Sequence, residues 1–316
     1  MNNTVSENTA HTDNPLVSII VITYNSSQYV LETLESARAQ TYQNIELIVS
    51  DDCSTDDTVE ICRKWIDEYE ERFVRAELIT VEKNSGIPAN CNRGVKSATG
   101  EWIKLIAGDD LLLTNSIKVN VGFVNNNKKV KVLFSRMLVF KTIKNEKSII
   151  SSYPLASQIS KFNKKAESQY KSILSKNFIW VTPSSFIHCS VFEEIGRFDE
   201  NYPMYEDYPF WLNITSKGTS LYYMDKKTVM YRKEFSTTSS NKYWINERYF
   251  NSRKRHFEDK VAEELKIIDH KMYTQRINWF KLHKILIKVF RNRKNILSKI
   301  FFIIFKIISK TNSIKI

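Results

Sequence analysis

An α/β fold built on a mostly parallel sheet is the architecture this sequence predicts, on three observations. Val17-Ser18-Ile19-Ile20-Val21-Ile22 is a nearly unbroken, largely β-branched run, the kind found in a central strand buried on both faces. Strand-like and helix-like segments then alternate as far as Phe140, the order that right-handed crossovers build into three layers. Finally, paired carboxylates stand where strands run out or a helix begins: Asp51-Asp52, Asp109-Asp110 and Glu206-Asp207. Ligands of open α/β sheets collect beyond the carboxyl ends of the strands, so acidic oxygens placed there face whatever binds.

Pro15 opens the fold. After the first strand, Thr23-Tyr24-Asn25-Ser26 reads as a turn, with Ser26 or Ser27 available to cap a helix. That helix, Gln28 to Gln40, repeats apolar residues at Val30, Leu31, Leu34 and Ala37. Ile45 to Val49 is a second buried strand. It runs into Ser50-Asp51-Asp52-Cys53-Ser54-Thr55-Asp56, where Thr55 or Asp56 caps a helix from Asp57 to Glu71. Ala76 to Val81 is a third strand. Gly86, Gly94, Gly100 and Gly108, four of the chain's seven glycines, follow within twenty-three residues. Such clustering marks either backbone packed closely on a ligand or a turn-rich crossover.

Trp102 to Ala107 is a strand cut off by Gly108, delivering Asp109 and Asp110 into a loop. Adjacent carboxylates repel unless a proton or a cation lies between them. Hard divalent cations such as Mg²⁺ or Mn²⁺ take one or two carboxylates and complete their shell with water and phosphate oxygens. A lone Asp-Asp pair is otherwise an ordinary turn or helix cap; this one has two companions. Asn115 to Val124 is predicted helical and Val130 to Phe140 extended. From Lys141 to Thr182 the periodicity weakens, with a helix at Phe162 to Lys176 and the rest loop or lid. The pattern returns at Ser184 to Gly196. Glu206-Asp207 then opens a helix with Pro209 in its first turn, Leu221 to Tyr231 reads as a closing strand pair, and Ile245 to Asp269 as a helical extension. Trp180, Tyr202, Tyr205, Tyr208 and Trp211 are core by default, one or two of them able to stack on a sugar's C–H face.

At 316 residues and 42% hydrophobic, the chain can bury a full core. The four cysteines, Cys53, Cys62, Cys91 and Cys189, show no Cys-x-x-Cys spacing and no zinc pattern and read as reduced cytosolic thiols. Residues 1–14 are polar, without the basic and apolar regions of a signal peptide, and are expected to be a disordered tail. Net charge is +12, but residues 276–316 hold eleven Lys or Arg and no acid, which leaves +1 for the rest. The main domain is therefore no general polyanion binder, and nucleic acid is not an expected partner. Within 276–316, Trp279, Phe280, Leu282, Ile285, Leu286, Val289 and Phe290 share one helix side, with Lys281, Lys284, Lys288, Arg291 and Arg293 mostly opposite. A second apolar run, Ile300 to Ile308, falls far short of the ~20 residues that cross a bilayer. Such basic amphipathic helices fit an anionic membrane interface; the alternative is a helix packed on the domain with its lysines solvated.

Taken in order, VSIIVITYN (Val17 to Asn25), SDDCSTDD (Ser50 to Asp57), NSGIPANCNRG (Asn84 to Gly94), Ala98 to Asp110 and Gly196 to Asp207 resemble the inverting family 2 glycosyltransferases. The resemblance covers about residues 15–240. It implies the GT-A fold over 15–240; the helical extension at 241–275 and the membrane-associating helices at 276–316 lie beyond it and rest on the residue patterns above. It also implies a nucleotide-diphospho-sugar donor and Mg²⁺ or Mn²⁺ as cofactor. By position, Thr23, Tyr24 and Asn25 form the base-binding turn, Tyr24 stacking on uracil and Asp52 accepting from the base ring N–H. Asn84, Gly86 and Arg93 border the nucleotide and diphosphate, Asp109 contacts ribose or sugar, and Asp110 ligates the metal. Asp207, in a Glu206-Asp207 pair, is the general base. Departures from the family pattern are Ala107-Gly108 where Asp-x is usual, Cys91 in place of Arg, and Lys233-Glu234 after Tyr231-Arg232 where many members carry His.

The chemistry asks for such groups on its own terms. Inversion is a single displacement, so a carboxylate must take the acceptor hydroxyl's proton as the bond forms, and a divalent ion stabilises charge on the leaving diphosphate. The expected enzyme moves one sugar from a UDP-sugar to a lipid-linked glycan for surface polysaccharide or O-antigen. It would work on the cytoplasmic face of the membrane; no Gln-x-x-Arg-Trp motif of a processive synthase follows Asp207. The alternatives are a sugar nucleotidyltransferase, although no basic Gly-rich signature follows the first strand, and a non-catalytic membrane-binding module with a decayed site.

Overall fold

The Val17–Thr23 run forms β1, buried along all but one residue as its composition requires. In this computed structural model, which describes residues 13–143, 146–176, 182–233 and 242–308, it lies inside a nine-stranded mixed sheet ordered β3-β2-β1-β4-β8-β6-β9-β5, with β7 paired to β6. The elements are β1, α1 (Val30–Arg38), β2 (Ile45–Asp51), α2 (Thr58–Tyr69), β3 (Arg75–Ile79), α3 (Ile87–Ser97), β4 (Trp102–Ala107), β5 (Leu111–Leu112) and α4 (Ser116–Asn125). They continue with β6 (Val132–Ile143), β7 (Glu146–Tyr153), α5 (Ala156–Ile159), α6 (Ala166–Lys176), β8 (Ser185–His188), α7 (Ser190–Glu194), α8 (Asp207–Ser216) and β9 (Leu221–Arg232). Four α-helices follow among the described residues: α9 (Glu247–His256), α10 (Ala262–Ile268), α11 (His270–Lys288) and α12 (Ile296–Ile308).

Strands β3, β2, β1 and β4 run parallel. β8 is antiparallel to both β4 and β6. β1 therefore has β2 on one side and β4 on the other, and the crevice between diverging crossovers opens at their carboxyl ends. Alternate β1 residues feed two cores. Val17, Ile19 and Val21 pack with Leu34, Trp65 and Val121 on one face, and Ile20 packs with Val95, Phe210 and Trp211 on the other.

Three expectations change. Residues 84–100 are not only turn: Ile87–Ser97 is a helix, started by Pro88 in its first turn. Glu146–Tyr153, expected as loop or lid, is an edge strand on β6. Its mixed charge and Ser content hid it, because only pairing, not a buried face, holds it in place. Leu221–Arg232 is one strand rather than a pair. The charged Asp225-Lys226-Lys227 triplet lies at a register irregularity between the pairs Ser135–Met224 and Arg136–Lys227.

The tail divides in two. Trp279, Phe280, Leu282 and Leu286 of α11 are buried, the first two in the core that holds Phe250 and Phe257. That helix is packed on the domain. On α12 the apolar Ile296, Leu297, Ile300, Ile303 and Ile304 are exposed. Among the described residues no helix is long and apolar enough to cross a membrane.

Candidate active site

Sheet topology brings the ends of β1, β2 and β4 together. At the end of β2, Asp51 is consumed structurally, accepting from the Thr23 hydroxyl (2.7 Å) and from the N–H and hydroxyl of Ser54 (2.7 and 2.5 Å). Asp52 turns the other way and is also buried. It accepts from Ser85 N–H and Oγ (3.1 and 2.8 Å), Gly86 N–H (2.8 Å) and Arg93 Nη2 (2.7 Å). Burial alone would raise its pKa; the Ser85 N–H, the Arg93 guanidinium and the Gly86 N–H together hold it below the usual carboxylate value. Asn84 Nδ2 donates to the Asp52 carbonyl (3.2 Å).

Asn25 has φ 51°, the left-handed conformation that Asn tolerates. Its N–H donates to Ser54 Oγ (2.8 Å) and its Oδ1 accepts from Thr55 N–H (2.9 Å), so it ties the two loops. Tyr24 beside it is 48% exposed, leaving its ring face available for stacking.

Helix α3 joins this region to the Glu206-Asp207 loop. Gly86 has φ 97°, and a Cβ there would lie 2.4 Å from the Pro203 carbonyl oxygen, which also accepts from Ile87 N–H (2.9 Å). Only glycine permits that approach. Asn90 Nδ2 donates to the Thr23 carbonyl (3.0 Å) and Asn92 Nδ2 to that of Phe198 (2.9 Å). One helix thus holds both loops.

Gly108 serves the acidic loop similarly, since its missing Cβ would meet Thr23 Cγ2 at 2.8 Å. Asp110 is fully buried; its Oδ1 accepts the Arg232 N–H (2.9 Å), while its Oδ2 is buried without a hydrogen-bond partner. The Arg232 side chain clamps the loop, donating from Nε to the Asp109 carbonyl (2.8 Å), pairing with Glu32 (3.2 Å) and stacking on Tyr29 (4.2 Å). Burial, then the Asp109 charge, pushes the Asp110 pKa well up; burial raises Asp109 as well. Lys104, fully buried in β4, donates to the carbonyls of Pro183 (2.6 Å) and Ser185 (3.0 Å), and burial pushes it down to about 7.

Asp207 is the first residue of α8, with Glu206 at the N-cap position making no side-chain cap bond, so neither acts as a cap. Asp207 Oδ1 accepts from the Thr182 hydroxyl. Burial and the neighbouring Glu206 push its pKa well up, opposed by the Thr182 N–H; burial raises Glu206 as well. Tyr231 lies in the field of Asp110, Asp109, Asp207 and Glu206 together, which with burial raises its hydroxyl pKa. The buried Cys91 thiol lies in the field of Glu206 and Asp207 and also of Arg93, the partner of Asp52. Carboxylates far apart in sequence therefore converge around β9 and α3.

Tyr202, Tyr208 and Trp211 are buried core, and of the aromatics considered for an acceptor platform only Tyr205 is half-exposed; Trp180 lies outside the described residues. Sequence reasoning missed Thr182, Lys104 and the Arg232 clamp. A lysine within an apolar strand run was a legible anomaly; Thr182 carried no signal.

Among the described residues no three His, Cys, Asp or Glu side chains converge as a ligand set. A hard divalent cation needs none, because one or two carboxylates suffice when substrate phosphates complete the shell. The unpartnered Asp110 Oδ2, beside Asp109, fits that requirement.

The sequence pattern of glycosyl transferase family 2 matches residues 18–196. The Escherichia coli UDP-Glc:alpha-D-GlcNAc-diphosphoundecaprenol beta-1,3-glucosyltransferase WfaP is 30% identical over 234 residues, 72% of this chain and 81% of that protein. The structure is similar to that of S. aureus TarS 1-349 in complex with UDP-GlcNAc, with a TM-score of 0.58 and 20% identity over 92% of this chain and 79% of that one. Against the longer TarS chain the TM-score is 0.57, and the match covers 85% of this chain but 43% of the other.

Proposed function

The chain belongs to glycosyl transferase family 2, and we propose that it is an inverting, non-processive enzyme that moves one sugar from a UDP-sugar to a lipid-linked glycan acceptor. What supports this reading is that Asp109-Asp110 and Glu206-Asp207 share the field of Tyr231, while Glu206-Asp207 and Arg93, the partner of Asp52, share that of Cys91. WfaP, whose name gives a UDP-sugar donor and a diphosphoundecaprenol-linked acceptor, supports the choice of substrates.

Tyr24 and Asp52 hold the base, with Arg93, Asn84 and Gly86 beside the diphosphate and Asp109 toward the ribose or sugar. Asp207 is the general base. The acceptor oxygen forms its bond to the anomeric carbon as the bond from that carbon to the diphosphate breaks, UDP leaves with the electron pair, and the hydroxyl proton passes to the Asp207 carboxylate. A raised pKa suits that task, since a base titrating nearer the working pH binds the proton more strongly while still ionised. Family 2 enzymes typically depend on a divalent metal. Asp110 with Asp109 would hold Mg²⁺ or Mn²⁺, which supplies Lewis-acid stabilisation of the leaving diphosphate. Arg232 keeps those carboxylates in place, with the Lys104 charge in the field of Asp110.

The exposed isoleucines of α12, flanked by Lys294 and Lys299, are the part of the tail suited to an anionic inner-leaflet surface, next to a lipid-linked substrate. The biosynthetic setting would be O-antigen or capsule assembly.

The test is UDP release from a panel of UDP-sugars with Mn²⁺ and a prenyl-diphosphate-linked acceptor. We expect sugar transfer by the wild type, loss in Asp207→Asn and Asp110→Asn, and retained UDP binding in Asp207→Asn. Full turnover by Asp207→Asn would end the base assignment.

A further inference from the structure

Lys104 is the one charged residue of β4, and its side chain is fully buried. Leucine or methionine would satisfy the apolar pattern of that strand, and a buried ammonium is costly unless its donors are met. What the lysine does there follows from how the sheet divides. β4 pairs with β8 only through Trp102–His188 and Ile103–Ile187. Beyond that point the strands part: β4 continues beside β1 toward Gly108 and the Asp109-Asp110 loop, while β8 stays paired with β6 as far as Ser185. Lys104 spans the opening, its Nζ donating to the carbonyls of Ser185 (3.0 Å) and Pro183 (2.6 Å). The segment it holds is fixed further by Ser135 Oγ, which donates to the Ser184 carbonyl (3.1 Å), and by Ser185 Oγ, which donates to that of Thr182 (2.7 Å). At its head the Thr182 hydroxyl donates to Asp207 Oδ1. The Lys104–Pro183 bond therefore ends one residue from the donor on the proposed base.

A hydroxyl favours the ionised form of a carboxyl only while its backbone keeps it within reach, and a loose segment loses that bond to its own conformational entropy. We propose that Lys104 is a positioning residue for the base: by bridging the split between β4 and β8 it holds the Thr182 hydroxyl on Asp207. It thereby ties the base to the strand that carries the Asp109-Asp110 loop. The inference rests on the assignment of Asp207 as the base. Its route is the Thr182 hydrogen bond and not charge. The titratable groups that share a field with Asp207 are Glu206 beside it, Cys91 of α3 and Tyr231 of β9, whereas the Lys104 charge lies in the field of Asp110.

The experiment follows UDP release by the full chain, with Mn²⁺ and the prenyl-diphosphate-linked acceptor, across the pH range in which the base titrates. Wild type is compared with Lys104→Met, Thr182→Val, the double variant and Asp207→Asn. We expect Lys104→Met to raise the acid limb of kcat/KM by up to the ~1–2 units that one hydrogen bond to an ionised group allows, with metal-free UDP affinity unchanged. In the double variant the limb should stand where Thr182→Val alone puts it, because no donor is left to position. A packing defect or a direct charge effect would instead add to Thr182→Val. Lys104→Gln keeps an N–H donor on a shorter, neutral side chain; it should move the limb less, and it carries the test if Lys104→Met does not fold. An unmoved limb in Lys104→Met, or additive shifts in the double variant, overturns the inference alone when Asp207→Asn is inactive. Full turnover by Asp207→Asn overturns the base assignment and the inference together. Loss of folding in both Lys104 variants makes the lysine a requirement of the fold and overturns the positioning role.

Discussion

Thr182→Val isolates one hydrogen bond at the proposed base. The Thr182 hydroxyl donates to Asp207 Oδ1, and its segment is anchored by Lys104 to the Pro183 and Ser185 carbonyls and by Ser185 Oγ to the Thr182 carbonyl (2.7 Å). Valine keeps the shape and removes the donor. A hydrogen bond to an ionised group contributes roughly 1.5–3 kcal/mol, equivalent to about one to two pKa units at ~1.36 kcal/mol per unit. The donor favours the carboxylate, so its loss raises a pKa that burial and Glu206 already hold up. The acid limb of kcat/KM, which reports the base in the free enzyme, should move upward by about one to two units. Activity below both limbs should fall roughly ten- to a hundredfold by the same conversion, and the two profiles should approach each other at alkaline pH. Thr182→Ser should restore the limb, which a packing defect would not predict. The assay is UDP release across about pH 5 to 9, alongside Asp207→Asn. An unmoved limb in Thr182→Val, with Asp207→Asn inactive, would refute the positioning argument while sparing the base.

The raised Asp207 pKa also bears on stability: a carboxyl with an elevated folded pKa contributes stability fully present below its ordinary range and lost as pH rises through the folded value. Asp207→Asn should therefore melt above wild type at alkaline pH, by about 1.5 °C for each kcal/mol relieved, and match it near pH 4, as scanning calorimetry would show. Gly86→Ala places a Cβ against the Pro203 carbonyl at φ 97°. It should cost roughly 1–3 kcal/mol by denaturant titration and weaken UDP binding, since Gly86 N–H donates to Asp52. Ile300→Glu with Ile304→Glu alters exposed α12 positions only. Binding to anionic vesicles should drop at least about tenfold in sedimentation, given ~1.5–3 kcal/mol for each large apolar side chain buried, with no change in melting; undiminished binding would exclude α12 as the lipid contact.

Much of this fold was legible along the chain because its signals are local. A β-branched run such as Val17–Ile22 satisfies the burial of a central strand on both faces, and Gly108 before Asp109-Asp110 marks where β4 must end. Thr182 and Arg232 were different. Asp110 receives the N–H of Arg232, which is 122 residues distant, and Asp207 the hydroxyl of Thr182. No periodicity encodes such pairs. The tail makes the same point, as α11 and α12 are both basic and apolar by composition, yet α11 turns Trp279 and Phe280 into the core while α12 leaves its isoleucines in the open. By itself the sequence determined the order of strands and helices and the carboxylates carried at their ends, because backbone propensity and side-chain period act over a few residues. Only the tertiary structure decided which carboxylates share a field, which donors hold them and which apolar face is spent on the core. Each of those outcomes depends on a partner surface that exists only once distant segments have packed.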